Sequence, residues 1–235
     1  MKDKIDIQSL CDERKIKIDK VGVKGVKYPI VVEDKAKGTQ QTVADIDIFV
    51  ELPEDHRGTH MSRFIEILNY YHKEALIDNL ESFLYKVQRE LRVKKSFCKI
   101  SFPYFIEKHA PISKKGSLLN YKCIFEASLI NNEFTFVIGV EVPVTTLCPC
   151  SRELSDEGAH NQRSYVTLLV IYSDFVWLEE LVELVEKCSS CEIYPLLKRV
   201  DEKYVTEKAY SKPMFVEDVV RDISLELLKD KRIIS

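Results

Sequence analysis

The stretch VGVKGVKYPIVVEDKAKGTQQTVADIDIFVEL, Val21 to Leu52, decides the fold class. Its two halves, Val21 to Asp34 and Thr39 to Leu52, are rich in β-branched residues, and KAKG joins them with Gly38 suited to a tight turn. Val43, Asp45 and Asp47 alternate with Ala44, Ile46 and Ile48, so one face of the second strand is buried and the other is wetter. The expectation is a long β-hairpin at the start of an antiparallel sheet.

Beyond the hairpin the period changes. HMSRFIEILNYYHKEALIDNLESFLYKVQRELR places Phe64, Ile67, Leu68 and Tyr71 on one helical stripe, and Ile77, Leu80, Phe83, Leu84 and Val87 on a second. KSFCKISFPYFIEKHA and LLNYKCIFEASLI return to strand character, and Asn131-Asn132 suits a hairpin turn into TFVIGVEVPVTTL. SYVTLLVIYSD reads as a further strand. FVWLEELVELVEKCSSCEIYPLL and PMFVEDVVRDISLELLKD are helical, the second with Val216, Val219, Val220, Ile223 and Leu227 as its apolar stripe. Two strands, two helices and two strands thus recur roughly twice. The fold class is α+β, with antiparallel sheets, helices on one side and no Gly, Pro or Ser-rich linker between the halves.

With 235 residues, 45% of them hydrophobic, the chain can bury a substantial core. Its 35 basic and 38 acidic residues are mixed along the sequence, leaving a net charge of −3. No basic block would track a phosphate backbone, which speaks against nucleic acid as a partner. The charged N-terminus MKDKIDIQSLCDERKIKID lacks the apolar run of a signal peptide, and no window is long and apolar enough to span a bilayer. These features point to the cytoplasm and away from the membrane. Seven cysteines, an odd and scattered set in a chain of this size, read as reduced thiols rather than disulfide staples.

Three passages hold candidate chemistry. In LCPCSRELSDEGAHNQRS, Pro149 keeps Cys148 in the extended run begun at Val140. If Cys150 were extended too, both thiols would face the same way. SRELSDE can make a short helical turn that Gly158 ends, returning His160 to the neighbourhood of Cys148. A thiolate and a neutral imidazole suit a borderline divalent metal, and a catalytic site needs a third protein ligand from elsewhere. The plainer alternative is a pair of buried thiols and a hydrogen-bonded histidine.

In EDHRGTHMSRF, Gly58 and Thr59 suit a helix entry, near which His60 and Arg63 could meet an anion; alternatively Thr59 only caps the helix. In VDEKYVTEKAYSKPMFVEDVVRD, Glu217 stands four residues before Arg221, an ordinary ion-pair spacing, and Glu202 reads by default as a solvated carboxylate. In KCSSCEIYPLL, Cys188 and Cys191 read as structural thiols at the end of a helix.

Taken together, RGTHMSRF, LCPCSRELSDEGAHNQRS, CEIYPLLKRVDEKYVTEKAY and FVEDVVRD resemble the type IB GTP cyclohydrolases, in order and over nearly the whole chain. The resemblance implies a tunnelling fold, with tandem units at 1–117, preceded by an N-terminal extension, and 118–235. It implies a homotetramer with active sites at subunit interfaces. It also implies one divalent metal per site, zinc, manganese or iron(II), held by Cys148, His160 and Glu202.

GTP is the implied substrate. Glu217 would accept the N1–H and 2-amino hydrogens of guanine, a donor pair that adenine lacks. His60 is implied as a proton carrier, Cys150 as a modifier of the metal or a purine contact, and Arg63, Arg152 and Arg163 as triphosphate ligands. The implied reaction releases formate and yields 7,8-dihydroneopterin triphosphate on the way to folate. Related alternatives are an archaeal-type enzyme whose product is a cyclic phosphate, and a non-catalytic oligomer holding metal or purine. A nitrile reductase of the same fold would need a nicotinamide cofactor, whose motif is absent. Members of the family usually continue past KDKRI with another strand and a histidine-containing segment, which this sequence, ending RIIS, lacks.

Overall fold

The computed structural model describes residues 11–71 and 76–235; residues 1–10 of the expected N-terminal extension lie outside them. Strands β1 (Ile18–Asp34) and β2 (Gly38–Leu52) form the expected hairpin, with Glu33 opposite Thr39 and Asp34 opposite Gly38. Gly38 turns the chain at φ +83°, a conformation open to glycine at little steric cost. A second glycine, Gly25, sits at φ +68° where the register slips between Val23 and Val26, and its N–H donates to Asp47 Oδ1 at 2.7 Å. Pro29 lies in β1, the outermost strand, where a missing N–H is tolerated.

Helices α1 (Met61–Tyr70) and α2 (Leu80–Leu91) follow, then β3 (Lys95–His109), β4 (Gly116–Ile130) and β5 (Glu133–Leu147). Asn131 and Asn132 turn β4 into β5 with φ of 51° and 70°, the left-handed pair of a type I′ turn. Then come α3 (Pro149–Leu154), β6 (Asn161–Val170), α4 (Leu178–Lys187), the two-residue β7 (Cys191–Glu192), α5 (Arg199–Ser211) and α6 (Val216–Leu227). Strands β1 to β6 follow one another in sheet order, and β7 joins β5. No helix among the described residues is long and apolar enough to cross a membrane.

Two compact units interleave along the chain. The first comprises residues up to Phe102 plus Ile124–Val137, and the second comprises Pro103–Cys123 and Ile138–Ser235. In the first, Ala44, Ile46, Ile48 and Val50 of β2 are fully buried together with Phe64 of α1 and Phe83, Leu84 and Val87 of α2. Burying each larger apolar side chain contributes about 1.5–3 kcal/mol, and the first helical stripe read from the sequence is spent on this core, as are Leu80, Phe83, Leu84 and Val87 of the second, whereas Ile77 precedes α2 and is only half-buried.

The second unit contains the β5–β6 pairing and departs from the first in its helices: α4, α5 and α6 follow that pairing, interrupted only by β7. At its far end Ile171 donates its N–H to the Ser235 carbonyl and accepts from Ile234 N, both at 2.8 Å. The α6 stripe is covered less than its periodicity implies. Val219 and Ile223 are buried, whereas Val216 and Val220 are exposed.

Candidate functional site

Strand β5 delivers Cys148 to its own end. The backbone there is extended (φ −68°, ψ 118°), as Pro149 requires, and Cys148 is the N-cap of α3, its sulfur accepting from Ser151 N–H at 3.5 Å. The helix begins at Pro149 itself, because proline is preset for the first helical position and gives up an N–H that would be orphaned there anyway. Cys150 is therefore helical and exposed rather than extended beside Cys148, which corrects the paired-thiol expectation.

After α3, Gly158 turns the chain at φ +84°. His160 N–H then donates to Ser151 Oγ at 3.1 Å, and the His160 carbonyl accepts from Cys148 N–H at 3.1 Å. Pairing of Leu147 with Asn161 zips the loop into β5–β6. Cys148 and His160 are thus joined through the backbone, as the loop reading expects.

Helix α5 packs beside this loop. Leu147, Cys191 and Ala209 form a buried cluster, with Ala159 and Val205 packed against it. Val205 and Ala209 are three and seven residues after Glu202, so the exposed Glu202 continues, one turn earlier, the α5 face that packs on the neighbour of Cys148. Arg152 of α3 lies 4.7 Å from the centre of the Tyr210 ring of α5, a cation–π contact tying the two helices. Met214, between α5 and α6, donates to the Leu147 carbonyl at 3.0 Å. Among the described residues, no three of His, Cys, Asp and Glu converge into a group that could hold a metal ion. The chemistry of Cys148 and His160 still suits a borderline metal, and this chain presents Glu202 on the adjoining helix face.

Glu217 stands exposed in the first turn of α6. Arg221 pairs with Asp218 at 3.1 Å, not with Glu217. The aspartate at the third helical position also accepts from Phe215 N–H, and it takes the arginine that sequence spacing assigned to the glutamate. No hydrogen bond or ion pair engages the side chains of Glu202, Glu217, His160 or Arg163 among the described residues. Arg163 lies on β6 opposite Thr145.

His60 and Arg63 belong to the first unit. His60, rather than Thr59, is the N-cap of α1; its backbone is extended and its carbonyl accepts from Arg63 N–H at 3.1 Å. The Arg63 guanidinium donates to the Glu90 carbonyl at 2.7 Å, near the end of α2.

Two acids around α5, Asp201 buried and Glu192 half-buried, escape the sequence reading. Asp201 accepts from Ile112 N–H and Ser113 N–H, each at 2.8 Å, from Ser113 Oγ at 2.6 Å and from Lys198 N–H at 2.9 Å. Burial alone would raise its pKa, but these donors hold it well below the usual carboxylate range. Glu192 of β7 accepts from the Lys208 ammonium and the Tyr194 hydroxyl. Against the opposing effect of burial, those two hold its pKa down to about 2. The only local signal for Asp201 was its place three residues after Lys198, at the start of a helix; for Glu192 there was none. Burial pushes the neighbouring Cys191 thiol up to about 12, which suits a structural thiol.

Comparison with known proteins shows the family. The family described as "Type I GTP cyclohydrolase folE2" matches residues 5–235. The chain is 54% identical over 223 residues to GTP cyclohydrolase FolE2 of Geobacter metallireducens, covering 95% of this chain and 85% of that protein. It is 56% identical over 223 residues to the FolE2 of Syntrophus aciditrophicus, covering 95% and 88%. Among solved structures, a hyper-thermostable AgUricase mutant superposes with a TM-score of 0.50 at 9% identity, over 92% of this chain and 77% of the other. That likeness concerns the fold alone, and it accords with the α+β tunnelling fold expected from the sequence.

Proposed function

Since the chain belongs to the type I GTP cyclohydrolase folE2 family, we propose that it hydrolyses GTP to formate and 7,8-dihydroneopterin triphosphate, the first step of folate biosynthesis. The observation that carries this reading to particular residues is the backbone bridge between Cys148 and His160, with the Glu202 face of α5 packed beside it. In this reading Cys148, His160 and Glu202 hold one divalent metal: zinc, iron(II) or manganese. Bound there, the metal would supply Lewis acidity and an activated water for attack at C8 of the purine.

The remaining work falls to the chain's own groups. Glu217, exposed and unpaired among the described residues, accepts the N1–H and 2-amino hydrogens of guanine through its two oxygens. Arg163, also unengaged, offers a guanidinium to the triphosphate. Arg63 and Arg152 are partly committed, to the Glu90 carbonyl and the Tyr210 ring, and bring donors already held in place. His60 carries protons in the ring-opening and reclosure steps, and Cys150, exposed on the first turn of α3, meets the purine or the metal's surroundings. The enzyme works in the cytoplasm as a homotetramer whose subunits complete one another's sites.

Selectivity tests the purine anchor. Glu217→Gln should bind metal like the parent protein but discriminate poorly between GTP and ATP, because an amide, with one acceptor oxygen in place of two, cannot accept both hydrogens equally well. Unchanged selectivity in that variant would remove Glu217 from the anchor role.

A further inference from the structure

Glu192 and Lys208 lie outside the expected site, yet they join the two elements that carry its ligands. The segment leading into β7 is stitched to the last turn of β5. Ser190 N–H donates to the Thr145 carbonyl, and Ser190 Oγ accepts from Leu147 N–H, both at 3.2 Å. Cys191 and Glu192 pair with Thr145 and Val144. The Glu192 carboxylate is therefore fixed relative to Cys148, four residues beyond its strand partner. One carboxylate oxygen takes the Lys208 ammonium from α5, and the other takes the Tyr194 hydroxyl. The Tyr194 ring in turn lies under Lys108 Nζ, 5.6 Å from the ring centre. Both oxygens are occupied, and the Glu192 side chain is only 18% exposed.

The apolar contact beneath α5 is made largely by small groups: Ala209, Ala159, Val205, Cys191 and Leu147. Such a surface gives adhesion but little shape to stop the helix rotating or sliding, whereas an ion pair with both oxygens engaged admits few arrangements. We propose that the Glu192–Lys208 pair positions α5 against β5, and so sets Glu202 relative to Cys148 and His160. The proposal rests on the reading of those three residues as metal ligands, and neither Glu192 nor Lys208 touches the metal or substrate in it.

The test is the affinity of the whole 235-residue chain for zinc alone, measured in competition with a chromophoric chelator. Glu192→Gln and Lys208→Met should each weaken zinc binding by about 10–100-fold, the usual effect of losing an outer-shell partner. Lys208→Arg, which keeps the charge, should stay near the parent. Because the pair acts through Glu202, Glu192→Gln combined with Glu202→Gln should bind zinc no more weakly than Glu202→Gln alone.

Parent-like zinc affinity in both Glu192→Gln and Lys208→Met, beside a weakened Glu202→Gln, would overturn the positioning role and leave the ligand set standing. Full additivity in the double variant would overturn it too. Parent-like affinity in Glu202→Gln would instead sink the ligand reading beneath it. Should Glu192→Gln not fold, the Lys208→Met and Lys208→Arg pair carries the same comparison.

Discussion

Acid should release the Glu192–Lys208 pair, and the size of the effect follows from the site. The Glu192 pKa falls from an ordinary 4.5 to about 2 in the folded chain, the Lys208 ammonium and Tyr194 hydroxyl outweighing the cost of burial. At about 1.4 kcal/mol per tenfold change in proton affinity, that corresponds to roughly 3 kcal/mol. Water reaches Lys208, whose side chain is 35% exposed, and screening reduces the figure to about 2 kcal/mol. The folded pKa is depressed, so this stabilisation is fully present above the unfolded value near 4.5 and is lost as pH falls towards 2. The Lys208 pKa is raised by Glu192 against the opposing effect of burial. Its contribution is therefore present below the ordinary lysine value and lost only as pH rises through the elevated one.

Urea denaturation of the parent and of Glu192→Gln, at pH values stepped from about 7 down to about 2.5, isolates the pair, because other carboxylates titrate alike in both proteins. The stability gap should hold steady to about pH 5 and then close by about 1.5 kcal/mol by about pH 2.5, the rest being lost only below the folded pKa of about 2. A gap that stays constant to the lowest pH would refute the assignment of the stabilisation to an ionised Glu192.

Two further outcomes test the fold. At Gly22 an added Cβ would stand 1.9 Å from the Ile48 carbonyl oxygen, a backbone atom that cannot swing aside. Gly22→Ala should therefore destabilise by about 3 kcal/mol, and a melting temperature unchanged from the parent would show that the β1–β2 approach is wrong. Asp201→Ala would strand three backbone N–H groups and the Ser113 hydroxyl. It should melt below Asp201→Asn, which keeps acceptor capacity through its carbonyl; equal melting temperatures would argue against the cap.

The parts of this chain that the sequence made legible are those whose cause is local. Alternation over Val43 to Ile48 and a glycine at position 38 specify the hairpin, because strand period and turn conformation are properties of adjacent residues. Pro149 and Gly158 likewise make the return of His160 to Cys148 readable. The same proline misled at Cys150: it extends the residue before it but also opens a helix at itself, and sequence gave no ground for weighing the second effect.

Where distant segments compete, local reading failed. Asp201 is enlisted by Ser113, 88 residues away along the chain, and nothing near it distinguishes it from the solvated Glu202 beside it. Arg221 has two acids within reach, and spacing cannot say that Asp218, already turned back towards the Phe215 N–H, holds it. The α6 stripe marks Val216 and Val220 as apolar without saying what covers them. The expected metal set has the same character: Cys148 and His160 are joined by local turns, while the approach of Glu202 depends on how α5 packs.

The central claim meets its most direct test in formate release from GTP. Chelator-stripped protein should be silent, and zinc, iron(II) or manganese added back separately should restore formate, with the choice of metal read from the recovered rate. Cys148→Ala and His160→Ala should stay silent with every metal. Formate released at the parent rate by either variant would contradict the site built at the end of β5, and a stripped parent that no metal revives would contradict the metal-dependent ring opening itself.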